Sequence, residues 1–337
     1  MANIKDVAKR AGVSIATVSH VINKTRFVSD ETQKKVEDAM KELSYQRNIM
    51  GVNLRQQNSR TIGLVVPFIP EYEDSNQFYL WVMLGAEKVL TKYNYSLIMS
   101  NSEEKIEGEK AAINRLKQHQ VEGIILAAPD VHKQHKVKQL NNIPFVFIDR
   151  EPQGLSESYD IVMSDSKKAV YDAITEQIKR GKKHFGIINS GSKNLYNVQL
   201  RYQGFLQALK DNNIEFDPTY AVDEIPKEDL GYSLAKKLFE THPNIDSLLI
   251  TMNDMGFGTL KYLKDSGRKI PEDLNITLFD DTLWNRASSP SITTIAQNPF
   301  KIGQIAAEAM INRLENPNYK PKKQLINTKL NIRESWD

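Results

Sequence analysis

From residue 61 onward the chain repeats one pattern, a short apolar run followed by a stretch with apolar residues every three or four positions. The runs are TIGLVV, YSLIMS, GIILAA and FVFID, then YDIVMS, HFGIIN, SLLIT and NITLF, with a further short strand at YAVDEI. Helical periodicity fills about 77–92, 103–119, 133–141, 166–180, 199–212 and 229–241 between them. A strand that is apolar on both faces must be covered on both, and helices returning between parallel strands do this. The pattern therefore predicts an α/β core of parallel sheets flanked by helices over 61–337. Because the series restarts after YDIVMS, two subdomains are expected, with SITTI, 299–315 and QLINTKLNI crossing back between them. The expected boundaries are about 61–162 plus 293–322 for the N-subdomain and about 163–292 plus 323–337 for the C-subdomain. Open α/β sheets bind ligands beyond the carboxyl ends of their strands, so two facing subdomains would form a cleft there.

The first 60 residues break this pattern and carry a different charge. They hold 11 Lys/Arg against 6 Asp/Glu, a net of +5, whereas the remainder holds 34 against 36, a net of −2. A small basic head on a near-neutral body suits a nucleic-acid module attached to something with another task. Its periodicity is helical. Ile4, Val7, Ala8 and Ala11 share a face behind a possible N-cap at Asn3, Gly12 stops the helix, and Ser14 can cap a second helix from Ile15 to about Ile22. Val18 and Ile22 point inward in this reading, leaving Ala16, Thr17, Ser19 and His20 on a face that fits a major groove. A third helix beginning at Ser29, with Asp30 and Glu31 at its positive end and Val36, Met40 and Leu43 on its inner stripe, completes a three-helix core.

Other classes are excluded on composition and spacing. With no cysteine in 337 residues, disulfide frameworks, thiol catalysis and cysteine-based metal sites fall away. No GxSxG elbow or GxxxxGK[ST] loop occurs, and Gly256 with Gly258 lacks the third glycine of a dinucleotide fingerprint. His132 and His135 have no accompanying ligand set. No enzyme activity, cofactor or metal is expected. Charges at Lys5, Asp6, Lys9 and Arg10 interrupt any signal-peptide core, and no stretch reaches the roughly 18 apolar residues of a membrane span. A cytoplasmic, nucleoid-associated protein with no membrane partner is the expectation.

The segment IKDVAKRAGVSIATVSHVINKTRFVSDETQKKV closely resembles the DNA-binding headpiece of the LacI/GalR family of bacterial transcription regulators, nearest to its purine-responsive members. QRNIMGVNLRQQNSRTIGLVVP is similar to the family's hinge helix and first core strand. The resemblance covers essentially the whole chain, the core being like that of periplasmic sugar-binding proteins. It implies a helix-turn-helix headpiece over 1–47, a hinge helix and linker over 48–60, and an effector-binding and dimerisation core. It also implies a homodimer reading double-stranded operator DNA through Ser14, Ile15, Ala16, Thr17, Ser19, His20, Asn23 and Arg26. Leu54 is implied as the minor-groove wedge, with Arg55 beside it. Ile15 and Ala16 stand where the purine-responsive members carry threonines, and Gly51 and Asn53 where the family usually has Ala and Ser. Glycine costs about 1 kcal/mol against alanine inside a helix, so a reluctant hinge is expected.

For the effector, NQFYLWVMLGAE is similar to the family's aromatic segment and points to Phe78 and Tyr79. FIDRE supplies Arg150 beside Asp149, and RYQGFLQAL supplies Arg201, near Asn197. MNDMGFG supplies Asn253 and Asp254, and LFDDTLW supplies Asp280 and Trp284, with Leu278 where glycine is common. Aromatic faces with Asp, Asn and Arg match the C–H surface and hydroxyls of a sugar. A sugar, a sugar phosphate and a sugar acid all remain open. Control by a phosphocarrier protein or a purine corepressor would leave a similar sequence, though Leu195 replaces an arginine that the purine-responsive members carry.

Overall fold

The structure is a computed structural model that describes residues 2–23, 26–45, 59–129, 143–152, 159–189, 195–223, 229 and 231–337. The hinge expected around Leu54 and Arg55, including Asn48, Gly51 and Asn53, lies outside the described residues. So do the helix expected at 133–141 and His132 and His135. The chain divides into two compact units, 1–59 and 60–337.

The first unit contains α1 (Ile4–Ala11), α2 (Ile15–Asn23) and α3 (Asp30–Glu42). Asn3 and Asp6 form a reciprocal capping box at the start of α1, and Gly12 takes the left-handed conformation, φ 67°, that closes it. Val7, Ala8, Val18, Val36 and Ala39 form its buried core. Ile22, Met40 and Leu43 pack against that core only partly buried, because three short helices cannot enclose a larger interior.

The second unit holds two sheets. The strands of the first are β1 (Thr61–Val66), β2 (Ser96–Asn101), β3 (Gly123–Leu126), β4 (Phe145–Ile148), β5 (Asp160–Ser164) and β11 (Lys323–Ile326). Those of the second are β6 (Phe185–Asn189), β7 (Ala221–Asp223), β8 (Ser247–Ile250), β9 (Asn275–Phe279), β10 (Thr293–Ala296) and β12 (Lys329–Asn331). Side by side the first runs β11-β5-β4-β3-β1-β2 and the second β12-β10-β9-β8-β6-β7. All pairings are parallel except β10 with β12. The chain crosses between lobes after β5, after β10 and between β11 and β12.

This corrects two expected boundaries. Residues 293–296 belong to the second sheet, where β10 pairs with β9, and residues 323–326 to the first, where β11 pairs with β5. Both segments are strands adjoining a crossover, so their apolar pattern fits either sheet and only the pairing decides.

The helices are α4 (Glu73–Leu90), α5 (Ile106–Gln118), α6 (Ser166–Lys179), α7 (Tyr196–Asp211), α8 (Tyr232–Thr241), α9 (Gly256–Asp265), α10 (Leu283–Ala287) and α11 (Pro299–Glu315). Helix α9 interrupts the stretch between SLLIT and NITLF, where its two glycines obscure the helical pattern. Helices α4 and α11 cross closely over the first sheet. A Cβ on Gly85 would come within 2.0 Å of the Phe300 carbonyl oxygen, and one on Gly303 within 2.0 Å of that of Val82. Among the described residues, no helix is long and apolar enough to cross a membrane.

Candidate effector site and DNA-reading surface

In the headpiece, the Ser14 hydroxyl accepts the Thr17 N–H at 3.0 Å and lies 2.9 Å from the Thr17 hydroxyl. This caps α2 as its sequence predicts and occupies part of Thr17's bonding capacity. Ser14, Ile15, Ala16 and Arg26 are exposed, while Thr17, Ser19 and His20 are half-buried on the same helix. Ile15 leaves 45% of its surface open, in contrast to Val18, which is fully buried. Asn23 ends α2, and Leu54 and Arg55 lie outside the described residues.

In the second unit, a cavity of about 280 Å3 opens where the strands of both lobes end. That is near the lower bound of roughly 300–1,000 Å3 usual for small-molecule sites. Pro67, Asp149 and Arg150 reach it just past β1 and β4, and Met252, Asp280 and Gln297 just past β8, β9 and β10. The placement follows from topology, because parallel strands deliver their carboxyl ends to one rim. Helices α4 and α7 contribute Phe78 and Tyr79, and Asn197, Val198 and Arg201.

Asp149 and Asp280 both adopt left-handed backbone conformations, φ 64° and 75°, a region that aspartate enters more readily than bulkier residues. Asp149 meets three neighbours. It accepts the Tyr79 hydroxyl at 3.0 Å and the Asn197 amide at 3.1 and 3.2 Å, with Arg150 Nε 3.3 Å away. Arg150, 6% exposed, donates to Glu104 Oε1 at 2.6 Å and to the Ala128 carbonyl at 3.0 Å. Arg201, 5% exposed, donates to the Thr251 carbonyl and lies flat on Phe279, 3.7 Å from the ring centroid. Its Nε is buried without a hydrogen-bond partner. Burial lowers its pKa, opposed by the charges of Asp280 and Asp149. Asp280 accepts the Gln297 amide at 2.7 Å. Burial pushes its pKa up to about 6, against the pull of Arg201 and that bond.

Six of the sequence-predicted residues therefore meet at the cavity: Phe78, Tyr79, Arg150, Asn197, Arg201 and Asp280. Three do not line it. The Asn253 amide instead donates to the Asp280 carbonyl at 2.8 Å and to Asn285 Oδ1 at 3.0 Å, holding the turn that presents Asp280. Asp254 reaches across the lobes, accepting the N–H groups of Asp74 and Ser75 at 3.0 and 3.3 Å and the Ser75 hydroxyl at 2.6 Å. It thereby satisfies the orphan donors at the start of α4. Trp284 packs against the second lobe's core and donates its indole N–H to Asp74 Oδ2 at 2.8 Å. These residues were expected from their nearness to strand ends, but the polar groups of Asp254 and Trp284 join the lobes and those of Asn253 hold a turn within the second.

Gln297 and Glu104 were missed. Gln297 follows an apolar run just as Asp149 does, and the same strand-end rule would have found it. Glu104 lies beyond β2 on a loop with no comparable signal.

Residues 3–48 match the family described as bacterial regulatory proteins, lacI family, and residues 174–336 the periplasmic binding protein-like domain. The chain is 32% identical over 331 residues to the HTH-type transcriptional regulator RegA of Clostridium saccharobutylicum, covering 96% of this chain and 97% of that protein. It is also 32% identical over 338 residues to the ribose operon repressor of Halalkalibacterium halodurans, covering 99% and 97%. The Lac repressor dimer bound to operator and the anti-inducer ONPF shares its fold, with a TM-score of 0.86 at 21% identity over 99% of each chain. A capped helix-turn-helix unit followed by a two-lobed core, matched end to end by these relatives, places the chain in the LacI family of bacterial regulatory proteins, as a DNA-binding transcription regulator and not an enzyme.

Proposed function

We propose that the protein represses transcription as a homodimer controlled by a small sugar-type effector held between the two lobes. Two headpieces read half-sites of a pseudo-palindromic operator through Ser14, Ile15, Ala16, Thr17, Ser19, His20, Asn23 and Arg26. Leu54 and Arg55 act at its centre, and phosphate contacts give the binding a steep salt dependence. The protein acts in the cytoplasm on the nucleoid. Phe78, Tyr79, Arg150, Asn197, Arg201 and Asp280 hold the effector, with Gln297 beside Asp280. A ligand touching both lobes alters their relative angle, and through it the spacing of the headpieces.

The observation that carries this reading is the meeting of Phe78, Tyr79, Asn197, Arg201 and Asp280 on the wall of one cavity. Aromatic faces beside guanidinium, amide and carboxylate groups suit the C–H surface and the hydroxyls of a sugar. The ribose operon repressor, similar along the whole chain, supports a sugar as the ligand.

Operator binding followed by fluorescence anisotropy, with and without a panel of sugars, tests the reading. Arg201→Ala should retain operator affinity and lose the response to whichever sugar acts on the wild type. An unaltered sugar response would remove the cavity from the mechanism.

A further inference from the structure

Among the described residues, the cavity carries more acid than base. Arg150 and Arg201 face Glu104, Asp149 and Asp280 on its wall. Behind the lining residue Ser75, Asp254 accepts the Ser75 hydroxyl and the Asp74 N–H, and Asp74 accepts the Trp284 indole N–H. The two cations are already answered. Arg150 lies between Glu104 and Asp149 at 2.6 and 3.3 Å, and the negative charges of Asp280 and Asp149 act on Arg201. The carboxylates also burden one another: burial raises Asp280 and Asp254, and the charge of Asp254 further raises both Asp280 and Asp74.

Glu104 sets this balance on the side of the first lobe. Its loop leaves β2 with Glu103 and Glu104 both left-handed, φ 54° and 55°, which side-chain-bearing residues seldom adopt. Ser102 anchors the loop by donating its N–H to the Val66 carbonyl at 3.0 Å. The result is a glutamate delivered to Arg150 from 46 positions away. Without it, Arg150 would offer a ligand a buried cation opposed by Asp149 alone.

We infer that this acidic surplus makes the cavity select an uncharged polyhydroxylated effector over its phosphorylated or carboxylated forms, with Glu104 as a specificity-determining residue. The inference rests on the reading of the cavity as a sugar-type effector site. Hydroxyl groups bond Asp280, which accepts one bond from Gln297, and meet the Arg201 wall without adding charge. A phosphate or carboxylate would add negative charge to a site whose described walls already hold an excess, where like charges repel.

Calorimetric titration of the full chain tests this with D-ribose, D-glucose and D-galactose, each against its own phosphate, together with D-glucuronate and D-galacturonate. The expected result is binding of a neutral sugar at least about 30-fold tighter than of its phosphate or acid, a difference of about 2 kcal/mol. In Glu104→Gln that gap should shrink about tenfold. Charged forms binding as tightly as the neutral sugar, or more so, would overturn the charge selection while leaving a sugar site in place. An unchanged gap in Glu104→Gln would overturn the role of Glu104. Absence of binding across both sets would overturn the sugar-type reading itself, and the selection with it.

Discussion

The two lobes place an aspartate at equivalent points, just beyond the third strand in each sheet's order, and treat it differently. Asp149 of the first lobe is surrounded by Tyr79, Asn197 and Arg150, whereas Asp280 of the second accepts Gln297 across one bond and has its pKa pushed up to about 6 by burial. The same backbone conformation serves both. The difference is one of partners. A carboxylate with more donors around it orders its neighbours, and one with fewer has more bonding capacity left for a ligand. The first lobe thus shapes the cavity, and the second supplies the greater part of its unspent bonding through Asp280 and Arg201.

The sharpest test of this contrast exchanges each carboxylate for its amide. Asp280→Asn should weaken effector binding by about 100-fold, the loss expected when charge-assisted bonds of about 1.5–3 kcal/mol are removed. Asp149→Asn should chiefly disturb Arg150 and Tyr79 and lower thermal stability. Equal effects of the two on calorimetric affinity, with no difference in melting temperature, would break the comparison.

Next in size is the pH dependence. The raised pKa of Asp280 means that the native state holds a proton the unfolded chain has released between about pH 4 and 6. Its contribution to the stability of the ligand-free protein therefore falls as pH rises through that window. Effector binding should run the other way. If the ionised carboxylate receives the hydroxyls, the dissociation constant rises by up to about tenfold per pH unit below 6. Titrations from pH 5 to 8 check this, and the dependence should vanish in Asp280→Asn.

The smallest effect concerns the contact between lobes. Asp254→Ala removes the cap of α4 and should cost about 1 kcal/mol. For a unit of this size that lowers the melting temperature by roughly 2–4 °C, with a larger effect where the lobes are held together by effector. A variant with unchanged stability in both conditions would show that the cross-lobe cap contributes nothing.

Much of the architecture was legible because its signals are local. The strands were readable as apolar runs, and Asn3, Gly12 and Ser14 marked the ends of the headpiece helices by residue type alone. Arg201 and Asp280 were singled out from the resemblance of RYQGFLQAL and LFDDTLW to family segments, and both line the cavity. Helix α4 shows where local reading stops. It was expected from about 77 but begins at Glu73, since Tyr72 offers no side-chain cap and Asp254, 180 positions away, supplies one. Asp254 and Trp284, expected beside the effector, accordingly bond the start of that helix and do not line the cavity.

What the amino-acid sequence determined by itself was periodicity, turn chemistry and charge layout: a basic three-helix head, an α/β core and a polar rim at the strand ends. Only the tertiary structure decided which sheet took β10 and β11, which acid met which arginine, and which polar groups were left unsatisfied. Periodicity and capping are properties of a few neighbouring residues. Saturation of a buried charge depends on groups brought together from distant parts of the chain, and no local pattern records their meeting.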